Sequence, residues 1–129
     1  KVHGFIKNVE AKIQGADIVF SSSYLSILQS LAAQKLVFAA YNNPLKEDYL
    51  RMSPFSKFVI LGDNPEKLAE KIIFYTKQPS LAQKLISAGF HWAENQTWEE
   101  VTSLYLQLLK NFHVFLKSKN KGRRLVNKT

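Results

Sequence analysis

Cysteine is absent from this 129-residue chain, which excludes disulfide staples and thiolate metal sites and is compatible with a cytoplasmic setting. Glycine is scarce, at five residues, and no Gly-rich phosphate loop or serine-nucleophile elbow occurs. No apolar run approaches the roughly 20 residues needed to cross a bilayer. Acidic residues are missing from two stretches, Ile18 to Lys46 and Val101 to Thr129. The first leaves no carboxylate pair for acid–base work in that region, and the second leaves the end of the chain uniformly basic. The three histidines, His3, His91 and His113, have no second ligand at a metal-like spacing, so surface or packing roles are expected of them. No metal site or bound cofactor is expected.

The net charge of +8 is unevenly spread. Residues 110–129 hold seven of the eighteen bases, leaving eleven bases against ten acids in the remainder. The body is therefore almost neutral and lacks the broad basic face of a specific nucleic-acid binder. The basic end, expected to be a disordered tail over 112–129, reads either as a solvated tail or as a segment drawn to a polyanion. An anionic membrane surface is one such partner, which would make the protein peripheral at the inner face of a membrane.

What is present is a strand–helix–strand unit from Gly15 to Ala40. The apolar run Ile18, Val19, Phe20 ends in Ser21, Ser22 and Ser23. A helical period follows in Leu25, Leu28, Leu31 and Ala32, and a second apolar run spans Leu36 to Ala40. Two such runs joined by one helix predict neighbouring parallel strands of an α/β sheet, each buried on both faces. A third buried strand is expected over Phe58 to Leu61.

Helix-start chemistry punctuates the rest. Ser23 is placed to cap the first crossover helix. Pro44 opens a short helix through Leu45, Tyr49 and Leu50 to Met52, which Ser53 and Pro54 end. Asn64-Pro65-Glu66 opens another whose expected buried stripe is Leu68, Ala69, Ile72, Ile73 and Thr76. A helix after Pro79 carries Leu81, Leu85, Ile86 and Phe90. Thr97 and Glu100 have capping-box spacing before a last helix through Trp98, Val101, Leu104, Tyr105 and Leu108. Its stripe continues through Phe112 and Phe115, and Trp92 and Trp98 are expected to pack between the last helices. Val2 to Ile6 is a further candidate strand, Val9 and Ile13 mark a short helix, and no internal repeat is apparent. Asn95 and Asn127 open Asn-x-Thr sequences, which the cytoplasmic reading makes incidental.

The order of these pieces resembles the carboxyl-terminal half of a group 1 glycosyltransferase of GT-B architecture. The matching segments are Gly15-Ala16-Asp17-Ile18-Val19, Gln29 to Val37, Gly62 to Ala69, and Thr97-Trp98-Glu99-Glu100-Val101. The resemblance implies a partial Rossmann-like parallel sheet over residues 1–111, with helices on both faces and a long C-terminal helix. It also implies two further strands ahead of this segment, an acceptor-binding domain as partner, and little activity for this part alone. The substrate class would be a nucleotide-diphosphate sugar donor, its sugar passing to an acceptor hydroxyl. Retention at the anomeric carbon is what the family suggests.

Carried over position by position, the resemblance puts the diphosphate at Ser21, Ser22, Ser23 and Ser26, and the nucleotide ribose at Gln29. Tyr41, Asn42 and Asn43 leave the neighbouring strand at the same end and would line the same cleft. Two departures stand out. Gln29 replaces a family glutamate, keeping an acceptor oxygen without its charge, and the family's other glutamate has no counterpart in the shorter, glycine-free serine loop. A degenerate, non-catalytic α/β interaction module, tethered to a membrane by its basic end, is the alternative.

Overall fold

Three short apolar runs form the sheet. The computed structural model describes residues 4–126, and side-chain surroundings through residue 113. The elements in order are α1 (Val9–Gln14), β1 (Ile18–Phe20), α2 (Tyr24–Ala32), β2 (Leu36–Ala40), α3 (Pro44–Met52), β3 (Ile60–Gly62), α4 (Pro65–Lys77), α5 (Pro79–Ala93) and α6 (Trp98–Val126). The chain is α/β and mostly helical, with a three-stranded sheet of order β1-β2-β3, parallel throughout. Its crossovers are compatible with a partial Rossmann-like fold.

Alternation along β2 sets the two layers. Val37 and Ala39 join Ile27 and Leu31 of α2, Leu50 of α3, Phe55 and Ala93 in one cluster. Leu36 and Phe38 point the other way, toward Ile60, Leu68 and the partly buried Ile72, Tyr75 and Leu85. Helices thus cover both faces. Close approach of α5 to α2 depends on Gly89, where a Cβ would lie 2.7 Å from Leu31 Cδ2. The turn from α2 into β2 places Gln34 at φ 57°, a left-handed conformation that side chains disfavour.

Several expectations need correction. β2 is buried nearly throughout and β3 at Ile60 and Gly62, but β1 is an edge strand, half-buried at Ile18 and Val19 and exposed at Phe20. Third-strand pairing begins later than expected, at Ile60, because Ser56–Phe58 forms a 3₁₀ turn. On α4 the inward residues are Leu68, Ile72 and Tyr75, whereas Ala69, Ile73 and Thr76 face solvent. Leu81 on α5 is exposed. Phe55, which no sequence expectation covered, is fully buried among Tyr24, Tyr49 and Trp92. Aromatic bulk makes a short loop a core contributor here. Gly4–Asn8 is neither helix nor strand; Val2 and His3, the start of the candidate strand, lie outside the described residues.

The chain divides into two units, residues 1–94 and 95–129. In the second, the Glu100 N–H donates to Thr97 Oγ1 at 3.2 Å, half of the expected capping box. The helix that follows runs 29 residues, to Val126. Lys, Arg and Leu are good helix formers, and Gly122 alone interrupts a segment free of proline. Trp98, in the first turn of α6, is 83% exposed. Phe115, as a side chain, and Asn127 lie outside the described residues.

Candidate functional site

A parallel sheet sends every strand's carboxyl end to the same side. Here three loops leave it together: Ser21–Ser23 after β1, Tyr41–Asn43 after β2, and Asp63–Asn64 after β3. Backbone bonds hold the loops at their roots. The Ser21 N–H donates to the Phe38 carbonyl at 2.9 Å, and the Tyr41 N–H to the Gly62 carbonyl at 3.1 Å.

Between the loops lies an open crevice of about 680 Å³, within the roughly 300–1,000 Å³ range of small-molecule sites. Its apolar lining comes from Phe20, Leu68, Ala69 and Ile72, and its polar lining from Ser22, Asn42, Asn43, Lys46, Asp63 and Asn64. Tyr41 also lines it, held from behind by Arg51, whose Nη2 donates to the tyrosine oxygen at 2.9 Å. The Glu47 carboxylate first, and Tyr41 second, raise the Arg51 pKa above its already high ordinary value.

Two corners of the crevice are built alike. Asn43-Pro44-Leu45-Lys46 and Asn64-Pro65-Glu66-Lys67 repeat one four-residue pattern at the ends of successive strands. In each, the Asn Oδ1 accepts from the lysine N–H three residues on, at 2.8 Å in both. Each Asn Nδ2 donates to the preceding side chain, Asn42 Oδ1 at 3.1 Å and Asp63 Oδ1 at 3.2 Å. Proline at the first helical position supplies no N–H, so of the four unpartnered donors at the start of α3 and of α4 one is absent and another is bonded to the asparagine.

The start of α2 is different. Ser23 occupies its N-cap, but no side chain caps the helix. The Ser23 hydroxyl instead donates to Ser26 Oγ at 3.0 Å. The first-turn amides are thus left for solvent or a ligand. Lys46 reaches this corner, donating from Nζ to the Ser22 carbonyl at 2.5 Å while its ammonium lies 4.6 Å from the centre of the Tyr49 ring. A cation beside uncapped amides is an anion-attracting arrangement.

Of the residues expected from sequence, Ser22, Tyr41, Asn42 and Asn43 come together in the crevice. Ser21 is at its root, and Ser23 and Ser26 lie on the α2 rim, bonded to each other. Gln29 does not join them. It lines a separate hollow of about 240 Å³ with Glu10, Ile13 and Gln14 of α1. One helical turn beyond Ser26 carries it away from the strand ends.

The chain matches no protein-family model, no curated protein and no solved structure. The site therefore has to be judged on its own chemistry. Sequence reasoning missed Lys46 and treated Asp63 and Asn64 as a helix start only. The short Asn-Pro-x-Lys repeat was the available signal, because its two copies follow successive predicted strands. Asp63 Oδ2 accepts from Lys67 Nζ at 2.7 Å, and that bond is the main reason its pKa lies below the ordinary aspartate value. It is a carboxylate at neutral pH, able to accept from hydroxyl donors. His91 is exposed, with Nδ1 3.5 Å from Glu94 Oε2, and among the described residues no three His, Cys, Asp or Glu side chains gather as a metal group.

Proposed function

We propose that the crevice binds the nucleoside diphosphate of a sugar donor, making this chain the donor-binding portion of a glycosyltransferase. The observation that carries this reading is the meeting of Lys46 with the uncapped start of α2, at a crevice formed by the carboxyl ends of three parallel strands. Lys46 and the α2 amides would face the diphosphate. Asp63, Asn42 and Asn43 would accept from or donate to ribose hydroxyls, and Phe20, Leu68 and Ile72 would cover the flat face of the base.

Such an arrangement serves transfer as well as binding. When the bond from the anomeric carbon to the diphosphate breaks, negative charge grows on the leaving oxygens, and donors already aimed at them lower the barrier. The acceptor hydroxyl and the groups that activate it belong to a partner domain in this reading. The free edge of β1 is where the strands implied by the resemblance would pair.

An amide NMR titration with UDP, GDP and ADP tests it. Saturable shifts of Ser22–Ser26, Tyr41–Lys46 and Asp63, stronger for one nucleotide, are expected. A well-dispersed spectrum indifferent to all three would overturn the donor role. That result would favour the second reading, a non-catalytic interaction module, for which the separation of Gln29 from the crevice speaks.

A further inference from the structure

We propose that α6 is a membrane-surface anchor that lies on anionic lipid, its first half immersed by apolar side chains and its second half held by charge. This stands apart from the nucleotide reading, because it uses none of the crevice residues.

The apolar half is visible side chain by side chain. At 100° per residue, Trp98, Val101, Leu104, Tyr105, Leu108 and Phe112 fall within an arc of about 120°. All six are exposed, Val101 least at 39% and Trp98 most at 83%. Leu109 borders this stripe, and Glu99, Ser103, Gln107 and Lys110 occupy the opposite arc, with Leu106 as the one apolar side chain among them. The stripe thus combines an aromatic set suited to the headgroup boundary with aliphatic side chains suited to acyl chains. Among the described residues no helix is long and apolar enough to cross a membrane, so the geometry is that of a helix lying in the interface.

Charge selects the occupant. After Glu100 the sequence holds no acid, while Lys110, Lys117, Lys119, Lys121, Arg123, Arg124 and Lys128 are all basic. A second copy is a poor partner for this helix. Parallel pairing would bring the basic halves together, and antiparallel pairing would set them beside first halves whose only acids are Glu99 and Glu100. RNA would meet the bases but leave the exposed apolar arc uncovered. An anionic bilayer satisfies both halves at once, since apolar burial and headgroup attraction act on the same helix.

The test uses the full 129-residue chain with a Trp92→Phe background, so that fluorescence reports Trp98. Vesicles of phosphatidylcholine alone are compared with vesicles containing phosphatidylserine, by sedimentation and by emission wavelength. Binding to the anionic vesicles with a blue shift of Trp98 is expected, weakened by salt. Replacing Lys117, Lys119, Lys121, Arg123 and Arg124 with Gln should weaken binding by at least about tenfold. Leu104→Glu with Leu108→Glu should remove the blue shift and weaken binding comparably. No difference between the two vesicle types overturns the proposal, as does full retention of binding by the glutamine variant. It also fails if single-stranded RNA binds while vesicles do not, or if the chain dimerises through α6 and ignores lipid.

Discussion

The start of α2 and the starts of α3 and α4 do opposite things with the same problem. Each helix opens with amides that have no partner within it. At α3 and α4 an Asn-Pro pair closes the matter internally, one donor deleted by proline and another bonded to the asparagine. At α2 the two serines bond each other and the amides remain uncapped. The closed corners are rigid walls, and the open corner is the one with something left to bind. Lys46 connects the two kinds, since its backbone belongs to a closed corner and its ammonium to the open one.

Breaking the common footing of these corners should have the largest effect. Phe55 touches Tyr24 at the head of α2 and Tyr49 on α3, with ring centres 5.8 and 6.2 Å away. Phe55→Ala should cost about 3–5 kcal/mol, measured by urea unfolding, and leave both corners misplaced. A loss below about 1 kcal/mol would mean that the aromatic cluster does not support them.

Removing the bridge comes next. Lys46→Met keeps the Asn43 cap, which uses a backbone N–H, and deletes only the ammonium. Affinity for the preferred nucleoside diphosphate should fall about 10- to 100-fold, the scale of one charge-assisted hydrogen bond of ~1.5–3 kcal/mol, by calorimetry. An unchanged affinity would detach the open corner from anion binding.

The caps themselves sharpen the contrast. Asn43→Ala and Asn64→Ala should each lower stability by about 1 kcal/mol, while Ser23→Ala should stay within about 0.5 kcal/mol. Equal losses at all three positions in thermal unfolding would erase the distinction between open and closed starts.

The smallest effect is a titration. Asp63 has a pKa lowered mainly by its bond to Lys67, so the stabilisation it contributes is present above the unfolded-state pKa and is lost as pH falls through the folded one. Carboxyl NMR should show Asp63 titrating below an ordinary aspartate, and Lys67→Met should move it up toward that range. No movement would assign the shift to the neighbouring backbone instead.

Much of the architecture was legible in the chain. Local chemistry determined the three strands' approximate positions, the proline-opened helices and the Asn64 cap, because apolar runs and capping residues act within a few positions of themselves. The convergence of Ser22 with Tyr41, Asn42 and Asn43 was equally readable, since parallel strands deliver their loops to one side. What the tertiary structure alone decided was reach and coverage. Lys46 is 24 residues from Ser22 in sequence, and no periodicity announces that bond. Gln29 leaves the site because a helix turns its side chain away from the strand ends, Phe55 enters the core because neighbouring aromatics close around it, and Ile73 stays in solvent while Leu68 and Ile72 of the same helix pack inward. Spacing along the chain records which residues prefer burial; only the finished packing decides how much surface there is to bury them against.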